Sequence, residues 1–253
     1  MSDRTGIRIN KYLAEAGLAS RRTADRLIEE GRVTVLRSGE GEAKAEPGMR
    51  LGEGDRVFVD GREITGRKER KVYLMLNKPK GLVCTADPDE EANVIRFVDY
   101  PVRLTYAGRL DKDSRGLLLL TNDGELIHKM MKAAHGHEKE YVCRMKEAVT
   151  ESFLEKLRRG VVIRVPDEDH VIHRVKTRPC RAERIDDHTV SITLTQGLNR
   201  QIRRMCFALG QQVTDLKRVR IMTLSLGDLE EGHFRELTND EVLRLKTAAG
   251  STD

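Results

Sequence analysis

Residues 64–71, ITGRKERK, divide the chain. This short charged connector has few apolar anchors, and the hydrophobic patterning differs in kind on its two sides. Before it, Ile9, Tyr12 and Leu13 recur at helical spacing, and Gly17 suits the end of that helix. Ser20 fits the N-cap of a second helix whose inner face carries Ala24, Leu27 and Ile28, with Gly31 at its end. VTV (33–35) and DRVFVDG (55–61) alternate apolar and polar residues as short strands, with Asp60-Gly61 as a turn signal. The intervening SGEGEAKAEPGMRLGEGD is expected to form a loop. The sum is a helix–helix–strand unit of about sixty residues, near the lower size that folds alone.

After the connector the pattern becomes apolar strands separated by turns. VYLML (72–76) reads as a strand ended by Asn77-Lys78-Pro79, and LLLLT (117–121) as another ended by Asn122-Asp123-Gly124. ELIHKMMKAA (125–134) is a short amphipathic helix. EKEYVCRM (138–145), HTVSITLTQG (188–197) and IMTLSLGDL (221–229) read as strands, while SFLEKLRRGVVI and NRQIRRMCFALGQQV each hold a helix. The alternation is irregular, the connections are hairpin-like and no βαβ unit repeats. The expected class is therefore α+β: a small N-terminal helix–helix–strand module, then a domain on a largely antiparallel mixed β-sheet with flanking helices. The boundaries drawn are 1–65 for the module, 66–71 for a linker, 72–247 for the larger domain and 248–253 for a flexible tail.

Charge narrows the partners. The net charge is +5, but 46 basic residues face 41 acidic ones, so the location of the charge matters more than its total. There is no Trp and aromatics make up 4 %, so aromatic base-stacking platforms must be few. No N-terminal apolar signal region and no run near the ~18 apolar residues of a membrane span is present, which points to a cytoplasmic protein without membrane contact. Cys84, Cys143, Cys180 and Cys206 form no CxxC pair and read as free thiols. His135-x-His137 and His170-x-x-His173 lack further ligands at metal spacing, so no metal is expected. Neither GxxxxGK[ST] nor GxGxxG occurs, and no cofactor is expected either.

Two places carry unexplained charge. In the first unit Lys11, Arg21, Arg22 and Arg26 cluster on helical segments, with Arg22 and Arg26 on one face and Arg21 in the first turn beside them. Cations at a helix N-terminus oppose the helix dipole unless an external anion compensates. A solvated face neutralised by Glu29 and Glu30 is the plain alternative; the composition favours nucleic-acid contact. The second place is AGRLDKDSRGLLLLTNDGEL (107–126), where carboxylates crowd the ends of an apolar strand. Asp113 suits a turn and Asp123 a turn or a helix N-cap. Asp111 has no such duty, and by its residues alone it is either a salt-bridged structural group or a functional one.

Known families bear on both. INKYLAEAGLASRRTADRLIEEGRVTV resembles the RNA-binding module named after small-subunit ribosomal protein four. It departs from that family's Val-Asn-Gly by continuing Val35 into LRSGEGE, so a longer hairpin is expected. GRLDKDSRGLLLLTNDG resembles the Gly-Arg-Leu-Asp motif of pseudouridine synthases of the RsuA branch. HEKEYVC resembles their Lys-x-Tyr motif and GLNRQIRRMCFALG their third motif, in the same order. QGLNRQIRRM followed by LKRVRIM is more similar to the RluF-type large-subunit enzymes than to other branches.

The resemblance implies an isomerase that converts a uridine of ribosomal RNA, in the large subunit or its assembly intermediates, to pseudouridine. It implies no cofactor, and the chain is expected to act as a monomer. Asp111 would be the catalytic carboxylate, attacking the anomeric carbon or abstracting a sugar proton; either role needs it ionised, which an adjacent guanidinium favours. Arg203 occupies the family position for that guanidinium. Tyr141 would stack on the target uracil, with Lys139 two residues earlier on the same strand face. A paired uracil must leave its stack, and Arg109 would fill the space it vacates. Arg200, Arg204, Lys217, Arg218 and Arg220 would grip phosphates along the route. The rival reading is a non-catalytic RNA-binding ribosome-assembly factor; a uracil methyltransferase would instead need a cofactor pocket or an activated Cys.

Overall fold

The computed structural model describes residues 6–65, 70–87, 89–132, 136–167 and 169–250. The chain divides into two compact units, Met1–Lys71 and Val72–Asp253. Arg4, His135, most of the connector (66–69) and the last residues (251–253) lie outside the described residues.

In the first unit α1 (Ile9–Glu15) and α2 (Arg21–Glu29) pack on a four-stranded antiparallel sheet. Its strands are β1 (Val33–Arg37), β2 (Gly41–Lys44), β3 (Arg56–Val59) and β4 (Arg62–Ile64), in the order β2-β1-β3-β4. Ser20 caps α2 by accepting a hydrogen bond from the Thr23 amide at 3.0 Å. Asp60 and Gly61 both have positive φ, 50° and 76°, as a two-residue hairpin turn with the right strand twist requires. The core joins Ile9, Leu13, Ala24 and Ile28 of the helices to Val33, Val35, Val57 and Val59 of the sheet. The loop expected at 38–55 proved to contain β2, which pairs Arg37 with Gly41 and Thr34 with Lys44. Its residues Gly-Glu-Ala-Lys are largely exposed, so no apolar alternation marked it.

The second unit is built on a mixed sheet in the order β11-β12-β8-β13-β7-β5-β15. Its strands are β5 (Tyr73–Lys78), β6 (Thr105–Ala107), β7 (Arg115–Thr121), β8 (Lys139–Met145), β11 (Arg181–Arg184), β12 (Thr189–Leu194), β13 (Val213–Ile221), β14 (Leu224–Ser225) and β15 (Phe234–Glu236). β6 adds to β7 and β14 to β13, and β9 (Val162–Pro166) pairs with β10 (Ile172–Lys176) as a separate hairpin. All pairings are antiparallel except β13 with β7, which is parallel. The four leucines of β7 explain its central place. Leu117 and Leu119 enter a core with α4 (Gly124–Met131) and α7 (Asn239–Ala248). Leu118 and Leu120 enter the opposite one, with α3 (Val94–Val98). A strand buried on both faces is continuously apolar rather than alternating. A third core lies behind β8 and β12, covered by α5 (Glu151–Arg158) and α6 (Gln201–Ala208).

Three expectations are corrected here. β5 continues through Asn77 and Lys78 rather than ending before them. The strand expected over 221–229 lies mostly earlier in the chain: β13 runs Val213–Ile221, and beyond it only Leu224–Ser225 is strand, as β14. α7, opened by a Thr238–Glu241 capping box, runs to Ala248 and Ala249 is buried, so the helix reaches into the segment expected as a tail.

Candidate active site

A cleft of about 850 Å3 opens in the second unit, with Asp111, Lys139, Tyr141, Arg200 and Arg218 in its wall. Asp111 sits in the loop joining β6 to β7. That loop is held from several sides: the Ser114 amide donates to the Asp111 carbonyl, the Gly81 amide to the Lys112 carbonyl, and the Leu110 amide to Cys84 Sγ. Lys139 and Tyr141 come from β8 at alternate positions, hence one face. Arg218 is directly opposite Tyr141 on β13.

The cation nearest the Asp111 carboxylate is Arg200, with Nη1 3.7 Å from Oδ2. Arg203, expected there, is committed to Asp113 instead. Its Nη2 donates to the Asp113 carbonyl, its Nε lies 3.3 Å from Asp113 Oδ2, and its Nη1 donates to the Val213 carbonyl. Arg200, the N-cap of α6, and Arg203, three residues on, share a face and both reach Asp113; the path of the 108–114 loop brings Asp111 only to Arg200. Asp113 is more than a turn residue. It also takes a bidentate pair from Arg200, at 2.9 and 2.8 Å, and that guanidinium holds its carboxyl below the usual carboxylate range. The same pair restrains Arg200, a non-glycine N-cap with φ of 49°.

Arg218 is the buried cation of the cleft, only 1 % exposed. Its Nε donates to the Leu117 carbonyl at 2.8 Å and its Nη1 lies 3.5 Å from the Arg109 carbonyl, while Nη2 has no acceptor among the described residues. Burial and the nearby Arg218 charge together lower the proton affinity of the Lys139 amine. Lys78 is a second buried ammonium, bonded to the carbonyls of Pro79 and Leu82, and burial lowers its proton affinity against the pull of Cys84, Asp111 and Asp113. No periodicity marked Lys78; a charged residue closing an apolar strand was the available signal.

Other expected site residues fall elsewhere. Arg109 lines the cleft and is exposed. Arg204 is bound to Asn199 and to the Arg164 carbonyl, and Arg220 to Glu138, Glu140 and the Met222 carbonyl. Lys217 projects from β13 without lining the cleft. Thus a row of phosphate-gripping cations along 217–220 is not formed: one is buried in the cleft and another is neutralised by two glutamates. In the first unit Lys11 lies 3.6 Å from Glu15 and Arg26 3.7 Å from Glu30, while Arg21 and Arg22 stand exposed at the start of α2, which has no acidic residue in its first turn. Burial raises the Cys84 thiol, which lines the cleft, and pushes Cys206 up to about 12, so neither is disposed to be a thiolate nucleophile. Among the described residues no group of three His, Cys, Asp or Glu side chains converges as metal ligands.

Asp215 clamps the flank of this site: it pairs with Arg115 at the start of β7 and with Lys80 at 2.6 Å. The Arg115 hydrogen bonds pull its carboxyl down to about 2. The folded-state value is thus below the ordinary ~3.9, so the stabilisation is present above about pH 4 and is lost as pH falls through about 2. Allowing for screening at this partly exposed pair, Asp215→Asn is expected to cost on the order of 1 kcal/mol at pH 7 and almost nothing at pH 2. Urea titrations of both proteins at the two pH values measure the difference; a gap that persists at pH 2 contradicts this origin.

The sequence pattern of the family described as RNA pseudouridylate synthase matches residues 72–208, and that of the S4 domain matches 7–57. The dual-specificity RNA pseudouridine synthase RluF of Escherichia coli K12 is 42% identical over 95% of this chain and 79% of its own. The Bacillus subtilis ribosomal large subunit pseudouridine synthase B is 37% identical over 96% of each. A solved pseudouridylate synthase structure superposes with a TM-score of 0.66 at 33% identity, over 95% of this chain and 100% of that one. The cleft, with Asp111 and Tyr141 in its wall, lies in the unit that carries the synthase match: this chain belongs to the RNA pseudouridine synthase family, with an S4 domain ahead of the synthase one.

Proposed function

We propose that the protein isomerises a uridine of large-subunit ribosomal RNA, acting as a monomer in the cytoplasm. The observation that carries the reading is the meeting of Asp111, Tyr141, Lys139 and Arg218 in one cleft. The large-subunit assignment is supported by the Bacillus subtilis relative, named for the large ribosomal subunit and aligned along nearly its whole length. The cytoplasmic assignment fits the absence, among the described residues, of a helix long and apolar enough to cross a membrane.

In this reading the target uridine is flipped into the cleft and Arg109, exposed at its wall, takes the vacated place in the stack. The bond between uracil N1 and the anomeric carbon breaks, and its electron pair leaves with the base, spreading over the uracil carbonyls. The Asp111 carboxylate either captures the anomeric carbon or removes the neighbouring sugar proton. Arg200 is the cation beside it, with Nη1 3.7 Å from Asp111 Oδ2. Tyr141 supplies the face on which the detached ring turns. Carbon five then bonds to the anomeric carbon as the Asp111 ester bond breaks, or, in the elimination route, as Asp111 returns the sugar proton; carbon five loses its proton to solvent and N1 gains one.

Arg218 has the position to receive the leaving base. A donor held in place by the Leu117 carbonyl, with Nη2 left over, is preorganised for charge that develops on a uracil carbonyl. The assay is tritium release from large-subunit RNA labelled at carbon five of uridine and lacking the modification. Wild type is expected to release tritium; none, on RNA or on partly assembled subunits, moves the chain to the assembly-factor reading. Arg218→Met is expected to lower kcat by about 10² to 10³ with RNA binding kept, and Arg218→Lys to lower it less. Equal rates in all three would remove Arg218 from the chemistry.

A further inference from the structure

The β9–β10 hairpin carries an arrangement that the isomerisation does not use. One of its faces is packed: Ile163 is buried and Val165 packs against the same core. The pairing register puts the remaining residues together on the other face, Arg174 opposite Arg164, Lys176 opposite Val162 and Ile172 opposite Pro166. Two arginines directly across a strand pair repel one another. Here no ion pair relieves them: among the described residues neither guanidinium nor the Lys176 ammonium has a recorded carboxylate partner, and all three residues are exposed. The acidic groups lie at the turn, where Asp167 accepts from the Asp169 and Val171 amides and pairs with His173 at 2.6 Å. Val162 and Ile172, both about half exposed, complete a face that is basic and apolar together.

The hairpin is anchored beside the cleft wall at both ends. Arg204 ties the Arg164 carbonyl at 2.7 Å to Asn199, which lines the cleft, and α6 rests on β9. At the other end β10 runs through buried Thr177, whose hydroxyl accepts from the Val161 amide, into Arg178. The Arg178 amide donates to the Gln196 side chain, and both residues lie in the cleft wall. A nucleic-acid strand leaving the cleft at this wall therefore meets the hairpin next.

We propose that the outer face of the β9–β10 hairpin is an RNA-binding surface, in which Arg164, Arg174 and Lys176 bridge phosphates of the segment flanking the flipped uridine. A polyanion removes the Arg–Arg repulsion and releases its condensed counterions, which a solvated face does not do. The inference rests on the uridine-isomerase reading and adds the place where the flanking RNA is held.

The test is a variant with Arg164→Gln, Arg174→Gln and Lys176→Gln, compared with wild type and with a control triple, Lys156→Gln, Arg184→Gln and Arg244→Gln. The control removes equal charge from exposed positions that do not line the cleft. RNA affinity and single-turnover tritium release are measured from 50 to 200 mM salt. The hairpin variant is expected to bind target RNA roughly tenfold more weakly and to flatten the slope of log K against log salt by about 2, with KM raised and kcat changed less than threefold. The control should match wild type. Identical slopes and KM for the hairpin variant and wild type would overturn the proposal, as would an equal loss in the control, which would trace the effect to net charge. Failure of the isomerase reading is separate, because then wild type itself releases no tritium.

Discussion

Asp111→Asn is expected to abolish pseudouridine formation, lowering single-turnover tritium release by about 10⁴ or more while leaving RNA affinity within about twofold. The substitution keeps shape and removes only the negative charge. Little else depends on that charge: Arg200 stays anchored by its bidentate pair with Asp113, and its contact with Asp111 is the longer one at 3.7 Å. Stability should therefore change by less than about 1 kcal/mol. Asp113→Asn makes the contrast. It breaks the pair that restrains Arg200 and Arg203, so it should lower both stability and rate without removing the reacting group. If Asp111→Asn kept its rate while Asp113→Asn lost it, the carboxylates would have exchanged roles.

The second large effect is structural. Gly116 has φ of 106° and pairs with Arg218 where β7 and β13 run parallel. A Cβ placed there would lie 2.2 Å from the Arg218 carbonyl oxygen and 2.7 Å from its amide nitrogen. Backbone cannot retreat as a side-chain tip can, so the two central strands must separate. Gly116→Ala is expected to destabilise the protein by about 4 kcal/mol or more, through steric overlap and a backbone conformation that L residues resist. It should also impair the chemistry, because separation breaks the hydrogen bond by which the Leu117 carbonyl of β7 holds Arg218. Gly124→Ala is the matched control: the position opens α4 and nothing lies within 4 Å of its Cβ. That change should be neutral or stabilising by up to about 1 kcal/mol. Guanidinium unfolding of both variants, followed by tritium release at a temperature where each is folded, separates the two contributions.

Much of the local architecture was written in short sequence signals. Ser20 and Asp123 cap their helices as their side chains predict, since a cap is a contact across three residues. The Asp60-Gly61 turn, the helical faces around Ile9 and Ile202, and the four leucines of β7 likewise depend only on near neighbours or on one periodicity. Lys139 and Tyr141 reach the cleft together because strand alternation forces it. Motif order brought Asp111 forward, which neither spacing nor charge did.

Ionic partnership was not legible. Arg200 and Arg203 are three residues apart in one motif, and only the path of the 108–114 loop against α6 decides that the first reaches Asp111 and both hold Asp113. The same holds for the basic run 217–220. Strand alternation is broken there by a register shift between Arg218 and Arg220, so that Arg218 enters the cleft wall while Arg220 meets Glu138 and Glu140. A charged residue at an interior strand position is read from sequence as surface, because burying a charge is costly unless other chains of atoms compensate it. By itself, then, the sequence determined most of the elements, the caps of α2 and α4 and the family, and it singled out Asp111 as the candidate for the reacting group. Only the tertiary structure decided which cation is buried in the cleft wall and which are neutralised, because those choices are made by contacts between residues about eighty to a hundred apart along the chain.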